Sequence, residues 1–155
     1  MVLQDLMDAE AQLDSFIDRY TPELAGDARR ALAIMAARLP TATRLVYDNY
    51  NALVVGFGTS DKVRDIILSL ALYPRWVTLF FLRGTVLPDP NRLLEGTGST
   101  VRSVRLQPIS RLQAPEVGAL IDAAVGNAAP LPATGNGPLI VKSVSAKQRP
   151  RRPKG

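Results

Sequence analysis

Ile66-Ile67-Leu68-Ser69-Leu70-Ala71-Leu72-Tyr73-Pro74-Arg75-Trp76-Val77-Thr78-Leu79-Phe80-Phe81-Leu82 is the stretch that decides the fold. Branched and aromatic residues fill its two halves, 66–73 and 76–82, and such residues fit a pleated, half-buried surface. Tyr73-Pro74-Arg75 between them is too short for anything but a tight hairpin connection. The reading is two neighbouring antiparallel strands. Both faces of each are largely apolar, which places them centrally under cover on both sides or sets one face at a partner interface.

Upstream, 52–57 is a short apolar strand closed by Gly56-Phe57-Gly58-Thr59. Before it the hydrophobic period changes from 2 to 3.6. Leu6, Leu13, Phe16, Ile17 and Tyr20 recur at helical spacing, with Glu10, Asp14 and Asp18 on a polar face. Thr21-Pro22-Glu23 then restarts a helix, with Thr as N-cap, Pro at the first helical position and an acid in the first turn. Leu24, Ala28, Leu32, Met35 and Leu39 form the buried stripe of that second helix, and Pro40 ends it.

Downstream, Asp89-Pro90 begins a short helical turn through Leu94, and Glu95-Gly96-Thr97-Gly98-Ser99 is a loop. Residues 101–106 alternate as a half-exposed strand does. Ala114-Pro115-Glu116 opens a last helix that stops at Gly126-Asn127. The order helix, helix, strands, helix predicts the α+β class: an antiparallel sheet of about five strands, packed by two N-terminal helices and one C-terminal helix. Residues 1–127 form the domain. Residues 128–155 are a Pro/Gly linker, an edge strand at 139–145 and a basic tail whose Arg149-Pro150-Arg151-Arg152-Pro153 is extended and hydrated.

The 155 residues suit one domain. The apolar runs fall far short of the roughly 20 residues that span a bilayer, so no membrane partner is expected. The first residues carry Asp5, Asp8 and Glu10 where a signal peptide needs positive charge, and this predicts a cytoplasmic location. The chain has no cysteine and no histidine. Disulfides, thiolate nucleophiles, His-based catalytic triads and ordinary zinc sites are thereby excluded. A metal held by side chains would sit among oxygen donors, which suit hard cations.

The net charge of +5 is strongly polarised. Residues 1–28 hold seven acids against the single base Arg19, whereas residues 142–155 hold six bases and no acid. An acidic front and a basic end point to intramolecular or partner electrostatics.

Three stretches carry a family likeness: Leu45-Val46-Tyr47-Asp48-Asn49-Tyr50-Asn51-Ala52-Leu53, Tyr73-Pro74-Arg75-Trp76-Val77-Thr78-Leu79-Phe80-Phe81, and Leu87-Pro88-Asp89-Pro90 with Leu94-Glu95-Gly96-Thr97-Gly98. Together they resemble the YdhG-like bacterial family, a domain of unknown function, over residues 10–127. The ending Ser143-Val144-Ser145-Ala146-Lys147-Gln148-Arg149-Pro150 is similar to some members. The resemblance implies a compact α+β fold with an antiparallel sheet and carries no catalytic assignment. Some members are described as frataxin-like iron chaperones, so it also implies an acidic first helix beside the sheet. Where typical members carry Gly-Met-Pro ahead of the first strand, this chain has Asp48-Asn49-Tyr50.

Four constellations are candidates for function. Glu10, Asp14 and Asp18, at i, i+4 spacing on one helix face, are candidate ligands for a hard cation such as iron. A solvated helix face is the simpler reading, since each like-charge pair costs only about 0.2–0.5 kcal/mol and needs no metal to explain it. Gly96 and Gly98, followed by Arg102 and Arg105, are a candidate anion nest; the bland alternative is a flexible turn before an exposed strand. Tyr47, Asp48, Tyr50, Tyr73 and Trp76 are a candidate small-molecule pocket, against ordinary cross-strand packing. The tail, 147–155, is a candidate polyanion contact without aromatic interleaving. The composite expectation is a binding or chaperone-like module with no identifiable catalytic machinery and no cofactor. A frataxin-like iron carrier using the acidic helix, and an enzyme on a small anionic metabolite using Arg102, Arg105 and Asp48, are the alternatives.

Overall fold

The computed structural model describes residues 8–154. It has the element order α1 (Ala9–Ile17), α2 (Pro22–Arg38), β1 (Thr43–Asp48), β2 (Leu53–Gly58), β3 (Ile66–Leu72), β4 (Val77–Phe81), β5 (Arg102–Leu106), α3 (Pro115–Asn127) and β6 (Leu139–Val144). The fold is α+β, as the sequence predicts. Leu6, which the sequence reading adds to the first helix, lies outside the described residues, as does Asp5. No helix among the described residues is long and apolar enough to cross a membrane.

The first two helices start where their caps are. The Asp8 carboxylate accepts from the Ala11 amide at 2.7 Å, and the Thr21 hydroxyl accepts from the Leu24 amide at 3.2 Å. Each satisfies one of the amides left without a partner in a first helical turn. Pro22 and Pro115 occupy first-turn positions, where the missing N–H costs nothing.

One six-stranded sheet has the order β5-β4-β3-β2-β1-β6. Its first five strands are antiparallel, but β6 lies parallel to β1. The central β3 is buried along all seven residues, which explains its near-continuous apolar sequence. Alternate strand residues Val46, Leu53, Val55, Phe57, Leu68, Leu70, Leu72, Val77, Leu79 and Phe81 join the helices in one core. Burying such side chains stabilises the fold by about 1.5–3 kcal/mol each. A register shift opposite Phe57 and Gly58 lets Ile67 join Leu68 on the core side.

The six strands are close to the five or so expected; the one the sequence does not mark is 43–48, which pairs fully with β2. Leu45, Val46 and Tyr47 are consecutive apolar residues, so no alternation announces it. Residues 89–94 are not a helical turn. The Asp89 carboxylate instead accepts from the Leu93 and Leu94 amides, both at 2.9 Å, and holds an open loop. The tail also differs from expectation in one respect: residues 145–152 are hydrogen-bonded onto the fold, with most of the segment still exposed but Arg151 only 4% exposed. The linker that delivers β6 crosses so close to Ala42 that Gly137 has no room for a Cβ.

Candidate functional site

The loop joining β1 to β2 is short and rich in acceptors. The Asn49 amide donates to the Ala52 carbonyl at 3.0 Å and closes it. This leaves the carbonyls of Asp48, Asn49 and Tyr50 facing the segment that follows β6. That segment supplies the donors in order. The Ser145 amide reaches the Asp48 carbonyl at 2.8 Å, and the Gln148 side-chain amide reaches the same oxygen at 3.0 Å. The Arg149 amide reaches the Tyr50 carbonyl at 2.9 Å. The Arg151 guanidinium then enters the fold, donating to the Asp48 carboxylate at 2.9 Å and to the Asn49 carbonyl.

Asp48 is 1% exposed, so the pair is fully desolvated. A buried ion pair is best tolerated when both ions keep further hydrogen bonds; Arg151 keeps them to the Asn49 and Tyr50 carbonyls, whereas Asp48 Oδ2 and Arg151 Nε have no hydrogen-bond partner among the described residues. Here the pair leans on Tyr20, whose ring centroid lies 5.9 Å from the Arg151 guanidinium carbon. The Tyr20 hydroxyl donates to the Leu72 carbonyl at 2.7 Å and accepts from the Leu53 amide at 3.1 Å. Burial, opposed in part by the Leu53 amide, pushes the Tyr20 hydroxyl above the usual tyrosine range. Arg19 adds a second cation, 3.5 Å from the other Asp48 oxygen, and donates to the Gln148 side chain. The Arg152 guanidinium returns a hydrogen bond to the Arg19 carbonyl at 3.1 Å.

Docking the segment builds a cleft of about 460 Å³ against the β3–β4 turn. Its lining includes Arg75, Arg149, Arg152 and Lys154, with Asn51 and Tyr73, and no carboxylate among the described residues. Arg75, Arg149 and Lys154 are exposed and have no carboxylate partner among the described residues. A second hollow of about 420 Å³ shares Asn51 and Tyr73 with it and is lined also by Asn49, Tyr50 and Ser145. Glu23 and Asp27 line a third depression, which shares Pro74, Arg75 and Pro153 with the cleft.

The candidates from the sequence are redistributed. The five aromatic-pocket residues do not converge. Tyr50 and Tyr73 line the same hollow, Asp48 is locked against Arg151, and Tyr47 on β1 is three strand places from β4, which Trp76 directly precedes. Trp76 is half-buried, and the Arg105 guanidinium lies 3.6 Å from its ring centre. Arg102 and Arg105 do not form one anion site either. Arg105 stacks on Trp76, whereas Arg102 donates to the Gly98 carbonyl at 2.6 Å and the Val101 carbonyl at 2.7 Å. The Gly96–Gly98 loop thus presents acceptors to its own arginine, the wrong polarity for an anion. Gly96, at φ +131°, does need glycine's freedom. The enzyme constellation is pulled apart as well, since β1 and β5 stand four strand spacings, roughly 19 Å, apart.

The acidic stripe of α1 is neutralised from within. Arg29 binds Asp14 at 2.6 Å and Asp18 at 2.8 Å, and Arg44 binds Glu10 at 3.2 Å. Hydrogen bonds to Asp18 and Asp14 push the Arg29 guanidinium above its usual range. Glu10, Asp14, Arg29 and Arg44 line a hollow of about 280 Å³ together with Leu13, Ile17, Val55 and Phe57. No group of three acidic side chains able to hold a metal occurs among the described residues.

The sequence reading missed Arg19, Tyr20 and Arg75 as contributors, and took 147–155 as a tail rather than a wall. One signal was available: Asp48 directly follows the apolar run Leu45-Val46-Tyr47, where a carboxylate enters a core only with a partner. No family model, no curated protein and no solved structure matches the chain.

Proposed function

We propose that the chain is a cytoplasmic, non-enzymatic binding module of the YdhG-like kind, and that its ligand is a polyanion held in the cleft between the β3–β4 turn and segment 148–154. One observation carries this reading. The buried Asp48–Arg151 pair fixes a basic segment against the fold, so that Arg75, Arg149, Arg152 and Lys154 share one wall system without a carboxylate. Preorganised cations lose less freedom on binding than a loose tail does. Arginine suits the work, because its planar fork grips phosphate or sulfate bidentately. Two further features favour binding over catalysis. The chain has no histidine or cysteine, and its buried carboxylate is committed to an arginine.

Titration with heparin and with duplex DNA tests the reading. Four phosphate contacts give a slope of roughly −3.6 for log K against log salt. Replacing Arg149, Arg152 and Lys154 by Gln, while keeping Arg151, should remove most of the affinity and flatten the slope. Binding that survives this triple substitution, or that ignores salt, sinks the proposal.

A further inference from the structure

We infer that the polyanion is single-stranded nucleic acid, with phosphates in the basic cleft and an unstacked base in the adjoining hollow against Tyr50 and Tyr73. The inference rests on the polyanion reading and adds the chemistry of the second hollow. Cations alone distinguish neither heparin from DNA nor one strand from two. The neighbouring hollow does distinguish them. Tyr50 is 47% exposed, an unusual position for a large aromatic side chain, and it shares this hollow with Tyr73. Exposed aromatic faces beside a positive groove are how single strands are held, because every base has a π-face to stack. A paired base inside a duplex keeps its faces covered by its neighbours and cannot offer one.

Asn49, Asn51 and Ser145 line the same hollow, and their amides and hydroxyl suit the donor and acceptor edge of a nucleobase. Asn51 and Tyr73 belong to both hollows, so the two adjoin, and a base and its flanking phosphates fit side by side. Four cations exceed what one phosphate needs, which favours a strand over a mononucleotide. Tyr73 is already oriented by Trp76, their ring centroids 6.4 Å apart at 43°, and Trp76 in turn by Arg105. The stacking wall is therefore preformed on a hairpin rather than assembled by the ligand.

Fluorescence anisotropy on the full chain tests this with four probes: oligothymidylate of about 12 nucleotides, within the usual site size, the same strand annealed to its complement, heparin, and thymidine monophosphate. The single strand should bind at least tenfold tighter than its duplex. Tyr50→Ala should weaken single-strand binding roughly 5- to 150-fold, the range for losing one stacked base, while heparin affinity stays within twofold. Tyr50→Phe should restore the binding. Tyr50 is exposed, so folding is not at risk, and a circular dichroism melt confirms it. If heparin and both DNA forms bind equally and Tyr50→Ala changes nothing, the stacking inference falls and the polyanion reading stands. If the mononucleotide binds as tightly as the oligomer, the strand is wrong and a nucleotide is the ligand. If no probe binds, both readings fall.

Discussion

Asp48 and Arg151, 103 residues apart in the chain, meet at 2.9 Å with 1% and 4% of their surfaces exposed. Breaking a buried pair inside a core usually costs about 3–5 kcal/mol, because the surviving ion is trapped. Here the trap has an exit, since segment 145–154 can lift away and let water reach Asp48. Arg151→Ala should therefore cost less than that range and act locally. Hydrogen exchange reads the outcome directly. The Ser145 and Arg149 amides, protected in the parent by Asp48 and Tyr50, should exchange at nearly free rates in the variant. Protection that persists at both amides would show that the pair does not hold the segment.

Tyr20 makes stability fall in alkali. Its hydroxyl, and those of Tyr47 and Tyr73, are raised by burial above the ordinary tyrosine value of 10.0. In the unfolded chain these groups release their protons near pH 10, while the folded chain still holds them. The contribution is thus complete below pH 10 and is lost as pH climbs through the folded values. Urea midpoints between pH 8 and 11 should fall, in step with tyrosinate absorbance. Tyr20→Phe should shrink that fall. It should also lower stability at pH 7 by about 1–3 kcal/mol, since the Leu72 carbonyl and Leu53 amide lose their partner.

Replacing Glu10, Asp14 and Asp18 by Gln, Asn and Asn tests the acidic face of α1. Removing like charges from one helix face ordinarily helps slightly. Arg29 and Arg44 reverse the sign here, because each carboxylate has a cationic partner from α2 or β1. These pairs are exposed, so the loss should stay below about 1 kcal/mol in a thermal melt and should shrink further in high salt. Calorimetry with ferrous or calcium ions should show no saturable site in the parent. A micromolar isotherm abolished in the variant would restore the acidic helix as a metal site.

Trp76 anchors the β3–β4 turn from a half-exposed position. Full burial would make its loss cost about 3–5 kcal/mol; stacking under Arg105 is worth only about 0.5–1 kcal/mol at an exposed site. Trp76→Ala should therefore cost about 1–3 kcal/mol and leave a folded protein. It should also lower affinity for single strands, because Tyr73 loses its support. A variant with unchanged melting temperature and unchanged binding would remove Trp76 from both roles.

What could be read from the sequence follows the range of the forces involved. The strands 66–72 and 77–81 and all three helices announce themselves through local composition, caps and prolines. β1 does not, because burial on both faces erases the alternation that Leu45, Val46 and Tyr47 would otherwise show. The docked segment was hidden for a different reason. Its prolines and arginines describe a hydrated chain, and only the buried carboxylate of Asp48, at the distant end of β1, draws Arg151 into the fold. The same holds for α1, whose acids were legible and whose arginine partners on α2 and β1 were not.

The parallel pairing of β6 with β1 also sets an order in time. A ribosome adding about 5–20 residues per second needs about 5–20 s to travel from Asp48 to Arg151. Throughout that interval β1 is an open edge, with unpaired backbone groups and a carboxylate that has only Arg19, at 3.5 Å, beside it. Open edges are templates for pairing with other chains. During that wait the Asp48 carboxylate works against such pairing, since a second chain could cover it only by burying its charge. The residue that later locks the fold shut is, until then, what keeps its edge from being capped by the wrong strand.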